Sequence, residues 1–590
     1  MIMLADWHPD IVEFIISKMQ NPRILRYLIE NTTDESIIRL AKEKLKFKPL
    51  SPQDEAMYQG IVNYKQIPGL GGFSDAIIKD AETKLRDGGT YSVHNPDFLT
   101  GANISVTLTK EFMHAVENDL DFELRFPDVA NYTPEEMAIY NEKWHEVGDV
   151  REWEKMGYGV RVYRTIKAKE LWNLINVCAT YAAEPGIFFI DNANEMTNAV
   201  SYGQKVVATN PCGEQPLAPY SVCNLAAVNL AQFALKEQKT VDFEELRRTV
   251  KVGVRMQDNV IDATPYFLEE NKKQALGERR VGLGVMGLAD LLIYCEKEYG
   301  SEEGNVLVDQ IFKEIAVAAY EASIELGQER GSFPFLQGET DEETRRLREA
   351  FVSTGFMKKM PAHVREGVLA NGIRNSHLLT VAPTGSTGTM VGVATGLEPY
   401  FSFTYYRSGR LGKFIEVKAE IVQEYLSKNP NADENNLPHW FVSSMELTPE
   451  AHADVQCVIQ NWIDSSISKT VNAPKGYTVE QVEKVYERLY RGGAKGGTVY
   501  VDGSRDTQVL TLKAEESHEE QLAFEELQQQ EEEVKRQVVL VDTIAPLTQT
   551  DVTIGSEVGN TCPVCRQGTV EEIGGCNTCT SCGAQLKCGL

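Results

Sequence analysis

Asn210-Pro211-Cys212-Gly213-Glu214 opens the stretch NPCGEQPLAPYSVCNLAAVNL, which runs to Leu230 and returns a second cysteine, Cys223, eleven residues after the first. Pro211 and Gly213 flank Cys212, as at the tip of a tight loop. If the run is extended, its side-chain period of two puts Asn210, Cys212 and Glu214 on one face. An amide, a thiol and a carboxylate then converge, a combination suited to acid-base and sulfur chemistry. The plainer reading is two small buried cysteines around a turn, since free cysteine is often core.

Outward from this stretch the chain alternates between helical and strand patterns, which gives α/β as the fold class. Asp6 reads as the cap of a helix entered through Pro9, with Ile11, Phe14, Ile15 and Met19 along one stripe. Ile104 to Leu108 reads as a strand, followed by a helix holding Phe112, Met113 and Val116. Lys169 to Ala183 is an amphipathic helix whose Cys178 reads as core, and Gly186 to Ile190 is a buried strand. The alternation continues through Val281–Gly287 and Leu378–Val381. No repeat of solenoid period occurs.

The 590 residues suffice for a large core and more than one domain. A net charge of -27 argues against a nucleic-acid partner or an anionic membrane surface. The first residues carry neither a basic region nor a long apolar run, so a cytoplasmic location and no membrane association are expected. Of the 11 cysteines, six lie between Cys562 and Cys588. This is no secreted disulfide framework, because the body is large and cysteine-poor.

Three regions follow from composition: a catalytic body over 1–511, a tether over 512–560 and a cysteine-rich tail over 561–590. Glu515 to Glu533 holds nine glutamates and no Lys or Arg, which marks a solvated segment. A flexible tether of that length spans roughly 40 Å r.m.s., enough to carry a small tail across the body. In the tail, Cys562 and Cys565, then Cys579 and Cys582, form two C-x2-C knuckles separated by thirteen residues. That spacing suits a structural zinc ribbon, whose metal would supply the folding free energy. Cys576 and Cys588 are left over, as expected for dithiol-disulfide chemistry, unless one of them replaces a ligand, for example Cys576 for Cys579.

A further motif follows the strand ending at Val381. Thr384, Gly385, Ser386 and Thr387 offer hydroxyls and successive amides to an anion at a helix start. The run lacks the Gly-Lys-Ser/Thr of a Walker loop, and taken alone such a run is more often an ordinary turn.

Taken together, these runs resemble the adenosylcobalamin-dependent (class II) ribonucleotide reductases. The matching segments are DWHPDIVEFI from Asp6, GANISVTLTKEFMHAV from Gly101, the stretch from Asn210 to Leu230, RRVGLGVMGLADLL from Arg279, and Asn375 to Phe401. His439 to Pro474, Lys495 to Leu510 and the cysteine tail match as well. The resemblance implies a ten-stranded α/β barrel of two halves with a finger loop threaded through its centre. Cys212 would be the thiyl radical at the finger tip, Glu214 would take the 3′-hydroxyl proton of the ribonucleotide, and Asn210 would position the substrate. Cys223 would be one of two cysteines that reduce the 2′ carbon, and Gly385, Ser386 and Thr387 would hold the phosphates. The tail would exchange the resulting disulfide and be reduced by a thioredoxin-like partner.

The sequence also departs from the family pattern. Family members begin about two hundred residues earlier, in a segment that holds early barrel strands, the effector-reading loop and the partner of Cys223. The expectation is therefore an oligomeric enzyme completed by a separate N-terminal reductase polypeptide, with deoxynucleotide effectors read together with that chain. Ala494 and Val501 stand where relatives often carry Cys and Arg. The adjacent tyrosine pair of the diiron enzymes is absent from the matching region, which has Tyr500 alone, and no glycyl-radical run occurs, so the radical source is expected to be cobalamin. The competing readings are a non-catalytic or regulatory reductase-like subunit and a zinc-ribbon interaction protein.

Overall fold

The computed structural model describes residues 1–63, 66–67, 71–72, 75–94, 102–409, 412–433, 436–504, 510–511, 558–560, 562, 568–573, 576–581 and 585–588. The chain divides into a large unit (Met1–Phe73, Ile78–Tyr405, Val417–Gln508) and a small one that includes the tail.

The large unit is α/β. Its principal strands are β1 (Ile2–Ala5), β2 (Ile104–Leu108), β3 (Gly186–Phe189), β4 (Asn224–Asn229), β5 (Val281–Met286), β6 (Thr470–Ala473) and β7 (Gly496–Val501). Five of them form one sheet in the order β1-β2-β3-β7-β6. Every pair in it is parallel except β3 with β7. All of Ile104-Ser105-Val106-Thr107-Leu108 is buried, as expected for a parallel strand covered on both faces. The helix Ala168–Ala182 lies over this sheet and buries Leu171, Trp172, Ile175 and Cys178. Cys178 is core, as its place in the apolar pattern suggested.

A second parallel row stands beside the first. β4 pairs with β5 in the register Asn224↔Val281, Leu283 bridges Leu379, and Val381 bridges Ile467. The helices Phe243–Ala263 and Glu302–Arg330 cover it and supply much of its core. Glycine makes the row possible at β5: a Cβ on Gly284 would stand 2.5 Å from the Thr380 carbonyl oxygen. The segment around Ile467 runs directly into β6, so the two rows share one stretch of chain. Among the described residues, the outer edges of β1 and β4 pair with no other strand.

Asp6 does not cap the first helix. That helix, Ile11–Ile16, starts after Asp10, which makes no side-chain cap bond. The Asp6 carboxylate is buried and accepts the Thr109 N–H at 2.6 Å and the Thr109 hydroxyl at 2.9 Å. It thus ties the end of β1 to the start of the helix Lys110–Glu117, a partner 103 residues away that no local pattern could name. Burial pushes its carboxyl up to about 7.

In the small unit, Val570–Ile573, Cys576–Cys579 and Gln585–Cys588 form an antiparallel three-stranded sheet. Its register sets Cys576 directly opposite Cys588. Cys562 and Cys579 are buried with Val570. Cys565, Cys582 and residues 512–557 of the tether lie outside the described residues. Among the described residues, no group of three or more His, Cys, Asp or Glu is placed to hold a metal, and no helix is long and apolar enough to cross a membrane.

Candidate active site

The Cys212 loop is a hairpin, not an extended run. Ala208–Thr209 pairs antiparallel with Pro216–Leu217, and the chain turns at Pro211 and Cys212. Gly213 takes a φ of 82°, the left-handed region that favours glycine, and its N–H donates to the Asn210 carbonyl at 3.1 Å. The turn replaces the simple two-residue alternation and separates the three groups by exposure. The Asn210 side chain accepts the Gln215 N–H at 3.0 Å, and Cys212 is exposed at the tip. Glu214 is 2% exposed.

The base of the hairpin is fixed to the second strand row. The Glu214 carbonyl accepts the Thr380 hydroxyl at 2.7 Å and the Ser466 N–H at 2.9 Å. The Glu214 Oε2 is buried without a hydrogen-bond partner among the described residues. Burial holds the Glu214 carboxyl above its usual range, against a smaller opposing pull from the Asn210 side chain. Burial, and after it the Glu214 charge, pushes the Cys212 thiol up, so it stays protonated at neutral pH.

A cavity of about 270 Å³ opens beside Cys212, lined among others by Ser105, Gly186, Lys469, Gly497 and Thr498. Its wall is backbone where side chains would intrude: a Cβ on Gly186 would stand 2.8 Å from the Ser105 hydroxyl. Lys469 is fully buried at this wall and donates to Glu398, to the Thr470 carbonyl at 2.9 Å and towards His452 Nδ1 at 2.9 Å.

Cys223 stands at the start of β4, partly buried, with its thiol donating to the Asn224 carbonyl at 3.4 Å. Behind it lies a buried polar seam that the sequence reading did not single out: Glu278, Arg280, His377, Asp464 and Lys495. The Asp464 carboxylate accepts the Leu378 and Leu379 N–H groups and the Tyr320 hydroxyl. Lys495 donates to the Asp464 and Ser465 carbonyls, and burial pushes its ammonium down to about 7. The only available sequence signal was charge inside apolar runs, as in RRVGLGVMG and NSHLLTV.

Thr384 takes a φ of 50° and precedes a six-residue helix, Gly385–Met390. Gly385, Ser386 and Thr387 are exposed there, and the Thr384 hydroxyl accepts the Gly396 N–H at 2.7 Å. The loop follows the same segment whose Thr380 holds the hairpin, so finger and loop share one support.

Residues 1–500 match the model of the ribonucleotide reductase barrel domain. This chain belongs to the ribonucleotide reductase family. It is 30% identical over 476 residues to the vitamin B12-dependent ribonucleoside-diphosphate reductase of Thermoplasma acidophilum, covering 78% of the chain and 52% of the relative. It is 30% identical over 457 residues to the enzyme of that name from Mycobacterium tuberculosis, covering 74% of the chain and 56% of the relative. The ribonucleoside-diphosphate reductase large chain of Cryptosporidium parvum is 32% identical over 326 residues, or 53% of the chain and 39% of the relative. The class II resemblance read from the reductase motifs is borne out by the first two. The chain spans about half the length of these B12-dependent relatives.

Proposed function

We propose that the large unit is the catalytic body of an adenosylcobalamin-dependent reductase that converts ribonucleotides to deoxyribonucleotides. The observation that carries this reading is the hairpin itself. It presents a protonated thiol to a glycine-walled cavity, two residues before a buried carboxylate whose Oε2 has no partner among the described residues. At about 270 Å³ the cavity falls just below the roughly 300–1,000 Å³ of drug-sized ligand sites, a fit for a nucleoside-sized arm of the cofactor rather than its corrin. Ser105, Gly186, Gly497 and Thr498 would hold that arm. When bound, adenosylcobalamin supplies the one-electron chemistry that starts the reaction.

The chain's own residues then divide the work. Cys212, as a neutral sulfur radical, takes the 3′ hydrogen and later returns it. Glu214 Oε2 accepts the 3′-hydroxyl proton, and Asn210 orients the ribose. Thr384, Gly385, Ser386 and Thr387 bind the phosphates. Cys223 and a second thiol give two electrons and two protons at the 2′ carbon; the 2′ oxygen leaves as water and the thiols become a disulfide. Cys576 and Cys588 exchange with that disulfide and are reduced in turn by a thioredoxin-like dithiol. Their cross-strand register supports this, because paired antiparallel Cα atoms stand about 4.5–5.5 Å apart, within the range a disulfide spans. Cys562, Cys565, Cys579 and Cys582 would hold the tail's zinc.

The reading includes a separate N-terminal polypeptide that adds a strand along the bare edge of β4, completes a ten-stranded barrel and supplies the second thiol and the effector loop. Two observations support it. Among the described residues the β4 edge is unpaired, with Leu225 exposed, and unpaired edges invite strand addition. The helix Phe243–Ala263 packed on β4 turns Val252, Met256 and Val260 outward, and Phe267 beyond it is 94% exposed. Apolar ridges of this kind mark interfaces.

The test is to incubate the full chain with adenosylcobalamin, a ribonucleoside diphosphate and a dithiol, with and without a candidate N-terminal polypeptide. Deoxyribonucleotide formation that requires both chains is expected. No product under any of these conditions would return the chain to a regulatory role. Removing residues 561–590 should abolish multiple turnover with a thioredoxin-like protein while small dithiols still sustain it; normal turnover with the protein reductant would show the tail is not a shuttle.

A further inference from the structure

Cys223 and Arg280 occupy matching positions at the mouths of two paired strands. The β4–β5 register begins with Asn224 opposite Val281, so Cys223 and Arg280 immediately precede paired residues on neighbouring strands. The Arg280 side chain is 1% exposed. Its Nη1 donates to the Pro216 carbonyl at 3.1 Å, which links it to the foot of the Cys212 hairpin. Its Nε lies 3.4 Å from Glu278 Oε2, and its Nη2 lies 3.5 Å from His377 Nε2.

The neighbouring arginine shows what is unusual here. Arg279 donates to both Asp262 oxygens at 2.7 and 3.0 Å and to Asp258 at 2.9 Å, so two carboxylates meet its charge. Among the described residues Arg280 bonds one carboxylate, at a long distance, with Asp464 acting on it from further off, and the bonded group is shared: Glu278 also accepts the Ser221 and Tyr202 hydroxyls. His377 adds no charge of either sign. Its Nε2 accepts the Asn198 backbone N–H at 3.3 Å, and burial with Arg280 and Lys495 nearby holds the ring well below its usual range. Around Cys223 the guanidinium is therefore the cation set against the Glu278, Asp464 and Glu214 carboxylates. Burial pushes the Cys223 thiol up, and Arg280 is the largest influence opposing it.

We propose that Arg280 is a positioning residue for the reductant half of the reaction, holding Cys223 ready to leave and to attack as a thiolate. This rests on the reading of Cys223 as a reducing cysteine. After turnover Cys223 is in a disulfide with the second thiol. A thiolate of the reductant dithiol attacks the second sulfur, the S–S bond breaks, and its electron pair goes to Cys223 as a thiolate near Arg280. The reductant's other thiolate then displaces the second sulfur, and the reductant departs as a disulfide. Its two protons end on Cys223 and the second thiol. A leaving sulfur stabilised as an anion leaves faster, so a nearby cation acts on this step.

The experiment is iodoacetamide labelling of the reduced full chain as a function of pH, with Cys223 and Cys212 read separately by peptide mass spectrometry. Only the thiolate reacts, so the profile reports ionisation of each sulfur. Arg280→Met should raise the Cys223 midpoint by about one pH unit or more, roughly a tenfold loss of labelling at fixed pH below it, and Arg280→Lys should restore most of it. Glu278→Gln should move the midpoint the other way, because it removes the carboxylate that offsets Arg280. The Cys212 midpoint should hold in all variants and reports an intact fold. An unchanged Cys223 midpoint in folded Arg280→Met overturns the proposal. Should that variant not fold, a midpoint not lowered in Glu278→Gln overturns it. Full dithiol-driven turnover in Cys223→Ser would defeat the reductant reading instead, and leaves the labelling result standing on its own.

Discussion

The tip and the base of the Cys212 hairpin are a few residues apart and physically opposite. The tip is exposed, built by a proline and a positive-φ glycine, and held by short local bonds. The base is buried against Thr380, Ser466 and a seam of charged groups including Arg280, Asp464 and Lys495. Under the proposed function, hydrogen-atom transfer needs a neutral thiol that can reach a substrate, and the tip would supply that without asking much of the fold. Proton and two-electron chemistry needs fixed charges in a dry setting, where electrostatic interactions are strong and unpaired groups costly. Reactivity and stability should therefore separate along the hairpin.

The sharpest break of this comparison is Cys212→Ser. Nucleotide reduction should fall to background while the unfolding free energy stays within about 0.5 kcal/mol of the parent, as for other exposed positions. A large loss of stability would mean the tip is structural. Glu214→Gln sits at the boundary and should lower the rate about 10²–10⁴-fold, the usual worth of a proton-transfer group. It should also reverse a pH trend. Because burial raises the Glu214 carboxyl, the folded state holds a proton the unfolded state has lost above the ordinary carboxylate range. The parent then loses stability as pH rises from there towards the raised folded value, and the variant should not; parallel denaturation midpoints from pH 4 to 7 would contradict it.

Lys495→Met probes the seam. Its ammonium is pushed down to about 7 in the fold, so between there and the ordinary lysine range the unfolded state binds the extra proton. The parent should gain stability relative to the variant as pH climbs from 7 to 10, by up to about 1.4 kcal/mol per unit, measured by urea unfolding. A flat difference would place the group in contact with water. The smallest expected effect is Thr380→Val, which removes the hydroxyl that holds the Glu214 carbonyl. It should cost about 1–2 kcal/mol and loosen the base without touching the Cys212 tip. Unchanged unfolding would show that the Ser466 N–H suffices.

How much of this was legible in the sequence depends on range. Pro211, Gly213 and the two cysteines announced a turn and a sulfur site, because tight turns write their own residue types. The fully apolar strand and helix patterns gave the α/β class, and Cys178 read correctly as core from its helix. The face-sharing of Asn210, Cys212 and Glu214 was drawn for an extended chain; the chain turns instead, and Cys212 is exposed while Glu214 is buried, since the glycine that permits the turn cancels the alternation. Asp6 looked like a local cap because aspartate often is one; its true partner, Thr109, is remote in sequence. The tail's cysteine spacing and the surplus couple Cys576 and Cys588 were plain, whereas their place opposite each other on neighbouring strands required the strand register.

The sequence by itself determined the local chemistry: which thiol ends a turn, which carboxylate follows it, where strands begin, and membership of a reductase family. Only the tertiary structure decided which charges stand behind those groups. Arg279 and Arg280 are adjacent and identical in type, yet one is met by two aspartates and the other bonds Glu278 and the Pro216 carbonyl at the mouth of a strand pair. The reason is physical. A turn is specified by the backbone preferences of its own residues, but a buried charge is specified by its neighbours in space, which come from β4, β5 and the segments around His377 and Asp464 and are brought together only when the strand rows pack.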